Sequence, residues 1–243
     1  MRYSIFIGEA LPVTAARAWQ EAAPFSRVDN LYGPTEATFG CFGYVFDPLA
    51  IPDADTVPIG RPFASTDAMI VDENLKALGI GERGELALAG PQLADGYLNR
   101  RDLTELRFPT IDGERWYLTG DAACRDENDV FHHLGRLDNQ LKVLGYRVEL
   151  EDVESHVRAV SGAISAAVIG WPHGNAAVES LIGFTVGATR SSEEIRVALS
   201  ERLPAYMIPR VLHPVDAMPL SANGKLDRGR LTALLPDREA AHG

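Results

Sequence analysis

The segment Asn30-Leu-Tyr-Gly-Pro-Thr-Glu36 gathers several chemically useful groups into seven residues. Tyr32 offers a flat face to a purine. Gly33 permits close backbone approach, and Pro34 stiffens the turn. Thr35 can donate to a phosphate oxygen. Glu36 can bind a Mg²⁺ ion that bridges phosphates, because hard cations prefer carboxylate oxygen. Towards the other end, Asn223-Gly-Lys-Leu-Asp-Arg228 sets Lys225 in a loop. A lysine there could touch a carboxylate oxygen and an α-phosphate together and offset the charge that develops as one attacks the other. Together the two segments suggest activation of a carboxylate with ATP. On spacing alone, the first reads equally as a plain turn with a buried tyrosine, and Lys225 as a surface lysine.

Two further clusters lie between them. In Trp116-Tyr-Leu-Thr-Gly-Asp121, the aspartate follows a glycine at an expected strand end, where its carboxylate could accept both ribose hydroxyls. In Gly135-Arg-Leu-Asp138, followed by Gln140, Lys142, Gly145, Arg147 and Glu149, Arg136 and Lys142 could supply positive charge to ribose or phosphate. Asp138 could serve as a hinge; the alternative is a solvated charged turn. The six histidines, His132 and His133 among them, have no metal or triad spacing and are read as structural or exposed. There is no Gly-x-Ser-x-Gly elbow, and Gly183 to Gly187 is not a phosphate loop, because no Lys-Ser or Lys-Thr pair follows.

The elements that must position these groups divide the 243 residues into two parts. Tyr3 to Ile7 reads as a strand ending at Gly8. Thr14 is the expected cap of a helix over Ala15 to Ala23, and Pro24 stops it. Arg27 to Leu31 is a second strand, so a βαβ-like fragment delivers the Tyr-Gly-Pro turn to a strand end, where ligands commonly bind in open α/β sheets. From Gly43 to His133, short apolar runs punctuated by Gly and Pro predict a mostly β region, clearest at Ala68 to Val71 and Gly84 to Ala89. A boundary falls near Arg136 to Asn139. Beyond it, Gln140 to Val143 reads as a strand and Leu150 to Val160 as a helix, with Val153, Val157 and Val160 on one face. Ile164 to Ile169, Ser180 to Val186 and Arg210 to Val215 follow as strands. Ser191 with Glu194 predicts a capping box.

Lys and Arg total 23 against 34 Asp and Glu, a formal charge of -11. That disfavours a non-specific grip on nucleic acid or an anionic membrane, while a local basic pocket for ATP remains compatible. Cys41 and Cys124 lack zinc-like spacing and build no disulfide framework, so the expectation is a reducing cytoplasm. No apolar run is long enough to span a bilayer.

Taken in order, these motifs resemble the adenylate-forming superfamily, specifically the adenylation domains of nonribosomal peptide synthetases. The resemblance is carried by Asn30 to Glu36 and by Gly84-Glu-Leu-Ala-Leu-Ala-Gly90 through Gly96-Tyr97. It continues through Tyr117-Leu-Thr-Gly-Asp121, the run from Gly135 to Leu150, Leu203-Pro-Ala-Tyr-Met-Ile-Pro209 and Asn223 to Arg228. It implies an α/β and α+β architecture. Residues 1–137 would be the C-terminal portion of a large domain, a βαβ remnant plus a distorted β-barrel. Residues 138–235 would be a small mobile α+β domain, and 236–243 a tail. It implies ATP and Mg²⁺ as cofactors, with Tyr32 and Gly33 at adenine, Thr35 at phosphate and Glu36 at the metal. Asp121 would hold the ribose, Arg136 and Lys142 would lie near the ribose and its phosphate, Asp138 would be the hinge and Lys225 the adenylation lysine. Ile5, Ile7, Gly8, Leu31, Phe39 and Gly40 would line the acid pocket. The acyl acceptor would be the phosphopantetheinyl thiol of a carrier protein.

The departures matter as much. Family members are roughly twice as long, and their Ser/Thr/Gly-rich phosphate loop has no counterpart here. Ile7 stands where a small residue is usual, and Leu118 where Arg or Lys precedes Thr-Gly-Asp. The expectation is therefore part of an adenylating ligase, inactive or weak alone, that needs a complementary N-terminal half or a parent synthetase. Its uncovered sheet would dimerise or bind that partner. The alternative is a non-catalytic homologue that binds a synthetase, a carrier protein or an adenylate.

Overall fold

The computed structural model describes residues 2–51, 54–172, 178–221 and 226–235. The chain separates into a unit ending at Asp138 and one beginning at Asn139. Asp138 therefore falls with the first unit.

The first unit opens with β1 (Tyr3–Ile7), α1 (Val13–Ala22) and β2 (Arg27–Tyr32). β1 and β2 run parallel, with Tyr3 opposite Arg27, Ile5 opposite Asp29 and Ile7 opposite Leu31. β3 (Phe42–Val45) and β4 (Arg61–Pro62) complete a sheet of order β1-β2-β3-β4. Alternation along the strands sends Phe6 and Val28 to one face, where Leu11, Val13, Ala16, Phe46 and Val57 form a small core with them. Thr14 does not cap α1. Pro12 is the N-cap, with an extended backbone and no side-chain cap bond. Its carbonyl accepts from Ala16, which places Thr14 inside the first turn. Proline suits this boundary because its fixed φ cannot continue a helix backwards past its own missing N–H.

Among the described residues of this unit, the opposite face of this sheet is left exposed. Ile5 is 61% exposed and Tyr3 63% exposed. A shallow groove there is lined by Tyr3, Ile5, Leu31, Gly43, Val45 and Phe63, with the charged pair Arg27 and Asp29 among them. Parallel strands are usually covered on both faces, so this surface is unusual for the sheet type that carries it.

A second sheet, of order β10-β9-β6-β5, is antiparallel. It comprises β5 (Asp67–Val71), β6 (Gly84–Ala89), β9 (Tyr117–Arg125) and β10 (Phe131–Arg136). A short hairpin, β7 (Thr110–Ile111) with β8 (Glu114–Arg115), precedes β9. The expected distorted barrel is thus an open four-stranded sheet. It is stitched to the first sheet by a bridge between Gly60 and Phe131, whose backbones exchange both hydrogen bonds. Phe42, Leu86, Leu88, Phe108, Tyr117 and Phe131 fill the core beneath. Helix α2 (Arg101–Arg107) has no buried residue. It carries an Arg101–Glu105 pair at 2.7 Å one turn apart and lacks the apolar period by which a helix is read from sequence.

The second unit starts with the hairpin β11 (Gln140–Val143) and β12 (Tyr146–Glu149), followed by α3 (Leu150–Ser161). β13 (Ser165–Trp171), β14 (Ser180–Val186) and β15 (Val211–Pro214) form a mixed sheet in that order. α3 buries Val153, Val157 and Val160 against it. α4 (Ser192–Ser200) carries the expected capping box, with Ser191 and Glu194 bonding reciprocally, and buries Ile195 and Leu199. α5 (Arg228–Leu231) is capped by Asp227 and buries Leu231. Among the described residues, no helix is long and apolar enough to cross a membrane.

Candidate nucleotide site

In the first unit, β2 ends at Tyr32 and hands the chain to a tight loop. Gly33 is obligatory there. A Cβ on it would lie 2.6 Å from the Phe39 carbonyl oxygen and 2.8 Å from Gly40 Cα. The loop doubles back closely enough for Cys41 N–H to donate to the Tyr32 carbonyl at 2.9 Å. Thr35 to Ala37 form one 3₁₀ turn, and Thr38 and Phe39 then adopt positive φ of 55° and 73°. Left-handed backbone at two non-glycine residues marks local strain. It leaves the Phe39 side chain 68% exposed. Glu36 is buried, and Tyr97 Oη donates to its Oε1 at 2.7 Å. Burial and this carboxylate together push the Tyr97 hydroxyl far above its ordinary range.

Asp121 is not at a strand end. It lies within β9, where the ladder breaks. Between Ala122 and Leu118, β9 spends four positions against the two that β6 spends between Glu85 and Ala87. Gly120 makes this bulge with a φ of 75°. Its N–H donates to Glu85 Oε1 at 2.7 Å, and Thr119 Oγ1 donates to the Leu86 carbonyl at 2.8 Å. The bulge turns Asp121 towards Tyr32, whose hydroxyl donates to Asp121 Oδ2. Burial and the neighbouring carboxylate raise the Tyr32 hydroxyl well above its ordinary value.

Arg136, at the end of β10, ties the cluster together. Its Nη1 donates to Asp121 Oδ1 at 2.9 Å and to the Thr119 carbonyl at 3.0 Å, while its Nε donates to Asp138 Oδ1 at 2.8 Å. Arg107 Nη2 also reaches Asp138, at 3.4 Å. His133 Nε2 lies 3.2 Å from Asp121 Oδ1. Burial works to raise Asp121, but the His133 hydrogen bond and the Arg136 charge hold its carboxyl below the ordinary range. Burial opposes the Arg136 charge, yet the two aspartates raise its proton affinity further.

Sequence reading thus places Tyr32, Asp121, Arg136 and Asp138 in segments that the fold draws into one network. It reads His133 as merely structural or exposed, and it does not connect Tyr97 with Glu36 or Arg107 with Asp138. The pairing of a histidine ring with Asp121 depends on register between β9 and β10, which no local signal carries. Of the six acid-pocket candidates, Ile5 and Leu31 line the groove on the uncovered face. Ile7 Cδ1 would sit 3.6 Å from a Cβ at Gly40. Gly8 follows β1 at a positive φ of 104°. Lys142 belongs to the second unit, on β11 opposite Arg147. Lys225 lies outside the described residues.

Mg²⁺ can be held by one or two carboxylates when substrate phosphates and water complete its shell. No group of three or more His, Cys, Asp or Glu suited to a metal occurs among the described residues. Glu36 as a single protein carboxylate is compatible with that mode of binding.

Two family models, both of AMP-binding enzymes, match this chain. One covers residues 1–98, and the other, the C-terminal domain, covers 152–225. A D-alanine–D-alanyl carrier protein ligase from Bacillus velezensis is 40% identical over 234 residues, 93% of this chain and 46% of that protein. The chain therefore spans about half the length of the curated relatives it matches. The Vibrio cholerae adenylation domain AlmE, solved with glycyl-adenosine-5'-phosphate, superposes with a TM-score of 0.85 at 32% identity, covering 96% of this chain and 45% of that one. A nonribosomal peptide synthetase protein containing adenylation and PCP domains gives 0.81 at 31% identity, covering 97% and 41%. With its mixed α/β fold and these matches at both ends, the chain belongs to the adenylate-forming superfamily of AMP-binding enzymes.

Proposed function

We propose that this chain is the nucleotide-binding and hinge-bearing portion of an ATP-dependent ligase that activates a small amino or carboxylic acid as its acyl-AMP and passes it to a carrier-protein thiol. The observation that carries this reading is the convergence of Tyr32 with Asp121, 89 residues away, and of Arg136 with the same aspartate, on one carboxylate-centred network. In the first step a carboxylate oxygen attacks the α-phosphorus of ATP, the bond to the bridging oxygen breaks, and pyrophosphate leaves. In the second, a thiol attacks the acyl carbon and AMP leaves.

Within this reading Tyr32 and Gly33 border the adenine, Asp121 accepts from the ribose, and Arg136 and Lys142 lie near the ribose and its phosphate. Thr35 donates to a phosphate oxygen. Mg²⁺ supplies charge neutralisation at the phosphates and would be held by Glu36. Lys225 offsets charge as carboxylate and α-phosphate meet, so its removal should damage the first step most. Asp138 is the point about which the second unit, a small mobile domain, reorients between the two steps. Its pairing with both Arg136 and Arg107 supports a mechanical role over a solvated turn.

Ile5, Ile7, Leu31, Phe39 and Gly40 would wall the acid pocket, which favours a modest side chain. The names of the similar proteins, which refer to D-alanine and to a glycyl adenylate, support a small amino acid. The uncovered face of the β1–β2 sheet supports a complementary polypeptide, or a parent synthetase, that supplies the phosphate loop. The test is pyrophosphate exchange over a panel of acids, with this chain alone, with a supplied first half of a related ligase, and with Lys225→Ala. Exchange that requires both parts and collapses in K225A is the expected result. Full adenylation by K225A would remove the central assignment.

A further inference from the structure

We propose that His133 is a positioning residue for the ribose-binding carboxylate: its Nε2–H holds Asp121 Oδ1 in the orientation that receives the sugar. This rests on the reading of Asp121 as the ribose acceptor.

The geometry begins with a register shift. β10 and β9 pair with His133 opposite Ala123 and Arg136 opposite Asp121, so three steps along β10 match two along β9. In a regular antiparallel pair one residue stands directly across from an aspartate. Here the irregularity lets two residues of β10 reach the same carboxylate oxygen. Arg136 Nη1 is at 2.9 Å and His133 Nε2 at 3.2 Å from Oδ1, while the Tyr32 hydroxyl takes Oδ2.

Gly135 N–H points at His133 Nδ1 from 3.4 Å, so Nδ1 is the acceptor. In a neutral imidazole the proton then resides on Nε2. Nε2 is then the ring nitrogen that faces Asp121 as donor. The ring is also seated beside Tyr32, with centroids 6.2 Å apart and planes at 38°. One side chain thus touches both the proposed adenine-side ring and the proposed ribose-side carboxylate.

Without His133, Asp121 Oδ1 keeps Arg136 as its side-chain partner among the described residues, and Arg136 is itself bonded to Asp138. With Oδ2 still held by Tyr32, Oδ1 would then shift towards that guanidinium and away from the sugar. A hydrogen bond to a charged group contributes enough that losing its orienting effect should weaken nucleotide binding about tenfold. His133→Phe keeps a ring against Tyr32 and removes the donor. His133→Gln keeps a donor.

The test is titration of this chain with AMP and with 2',3'-dideoxy-AMP, which lacks both ribose hydroxyls, followed by calorimetry or ligand-observed NMR. Wild type should prefer AMP. H133F should lose about tenfold for AMP and almost nothing for the dideoxy nucleotide, and H133Q should recover most of the loss. If D121A leaves the preference for AMP intact, or wild type binds neither nucleotide, the ribose reading of Asp121 fails and this inference falls with it. If D121A abolishes the preference while H133F keeps it, the ribose reading stands and the role of His133 is overturned. Equal weakening of both nucleotides by H133F would assign it a purely structural role and overturn the proposal too.

Discussion

Arg228 is bound to Glu154. Its Nη1 donates to Glu154 Oε1 and, at 2.9 Å, to the carbonyl of Val168, while the Val168 N–H donates to the same Glu154 oxygen at 2.8 Å. Three elements of the second unit, α3, β13 and α5, meet at this point. The carboxylate is nearly enclosed, with 7% of its side chain exposed against 17% for Arg228.

Removing one partner of such a pair leaves the other charge buried. Arg228→Met should therefore destabilise the second unit by about 3 kcal/mol, the usual scale for an orphaned buried ion. Combining it with Glu154→Leu should recover a large part of that loss. Urea denaturation of the two variants checks this; a double variant no more stable than R228M would show that the pair is not the source of the effect.

Gly33→Ala should be costly. The new methyl would press on the backbone of Phe39, Gly40 and Cys41 at 2.6 to 2.9 Å. Backbone cannot rotate away as a side chain would, so a loss of about 2 kcal/mol is expected from overpacking. Thermal unfolding of the variant measures it, and an unchanged midpoint would mean that the loop relaxes freely.

Acid should act on Asp121 in a defined direction. Its folded-state affinity for protons is held below that of the unfolded chain by His133 and Arg136. The stabilisation it contributes is present above the unfolded value, about pH 4, and is lost as pH falls through the lowered folded value. Wild type and D121N should thus differ most near neutrality and converge below about pH 4. A difference that grows on acidification would contradict the sign of the shift.

Ile5→Lys probes the uncovered sheet face. Ile5 is 61% exposed, so the substitution should alter the stability of this chain by no more than about 0.5 kcal/mol. Analytical ultracentrifugation with a supplied first half should nevertheless show association reduced at least about tenfold, because a further charge beside the Arg27–Asp29 pair would have to be desolvated on docking. Undiminished association would place the docking surface elsewhere.

Much of the second unit is legible in the residues themselves. Val153, Val157 and Val160 announce a helix face because helical period is a local property, and all three are buried. Ser191 and Glu194 form their capping box within four consecutive residues. Ser180 to Val186 is one strand with the expected bounds. The chemistry-bearing residue types, Tyr32, Glu36, Asp121, Arg136 and Asp138, are likewise visible as short motifs. Their assembly is not. Tyr32 and Asp121 are 89 residues apart, and their contact depends on a bulge at Gly120 that looks in sequence like an everyday Gly-Asp turn. Arg136 stands opposite Asp121 only because β10 slips by one position against β9, and His133 reaches the same carboxylate diagonally from its place opposite Ala123. Helix α2, lacking a buried face, gives no periodic signal. Thr14 resembles a cap in isolation, but Pro12 already occupies that position. Local period and capping are decided by neighbours along the chain. Register, bulges and shared carboxylates are decided by which strands meet, and that is a property of tertiary structure.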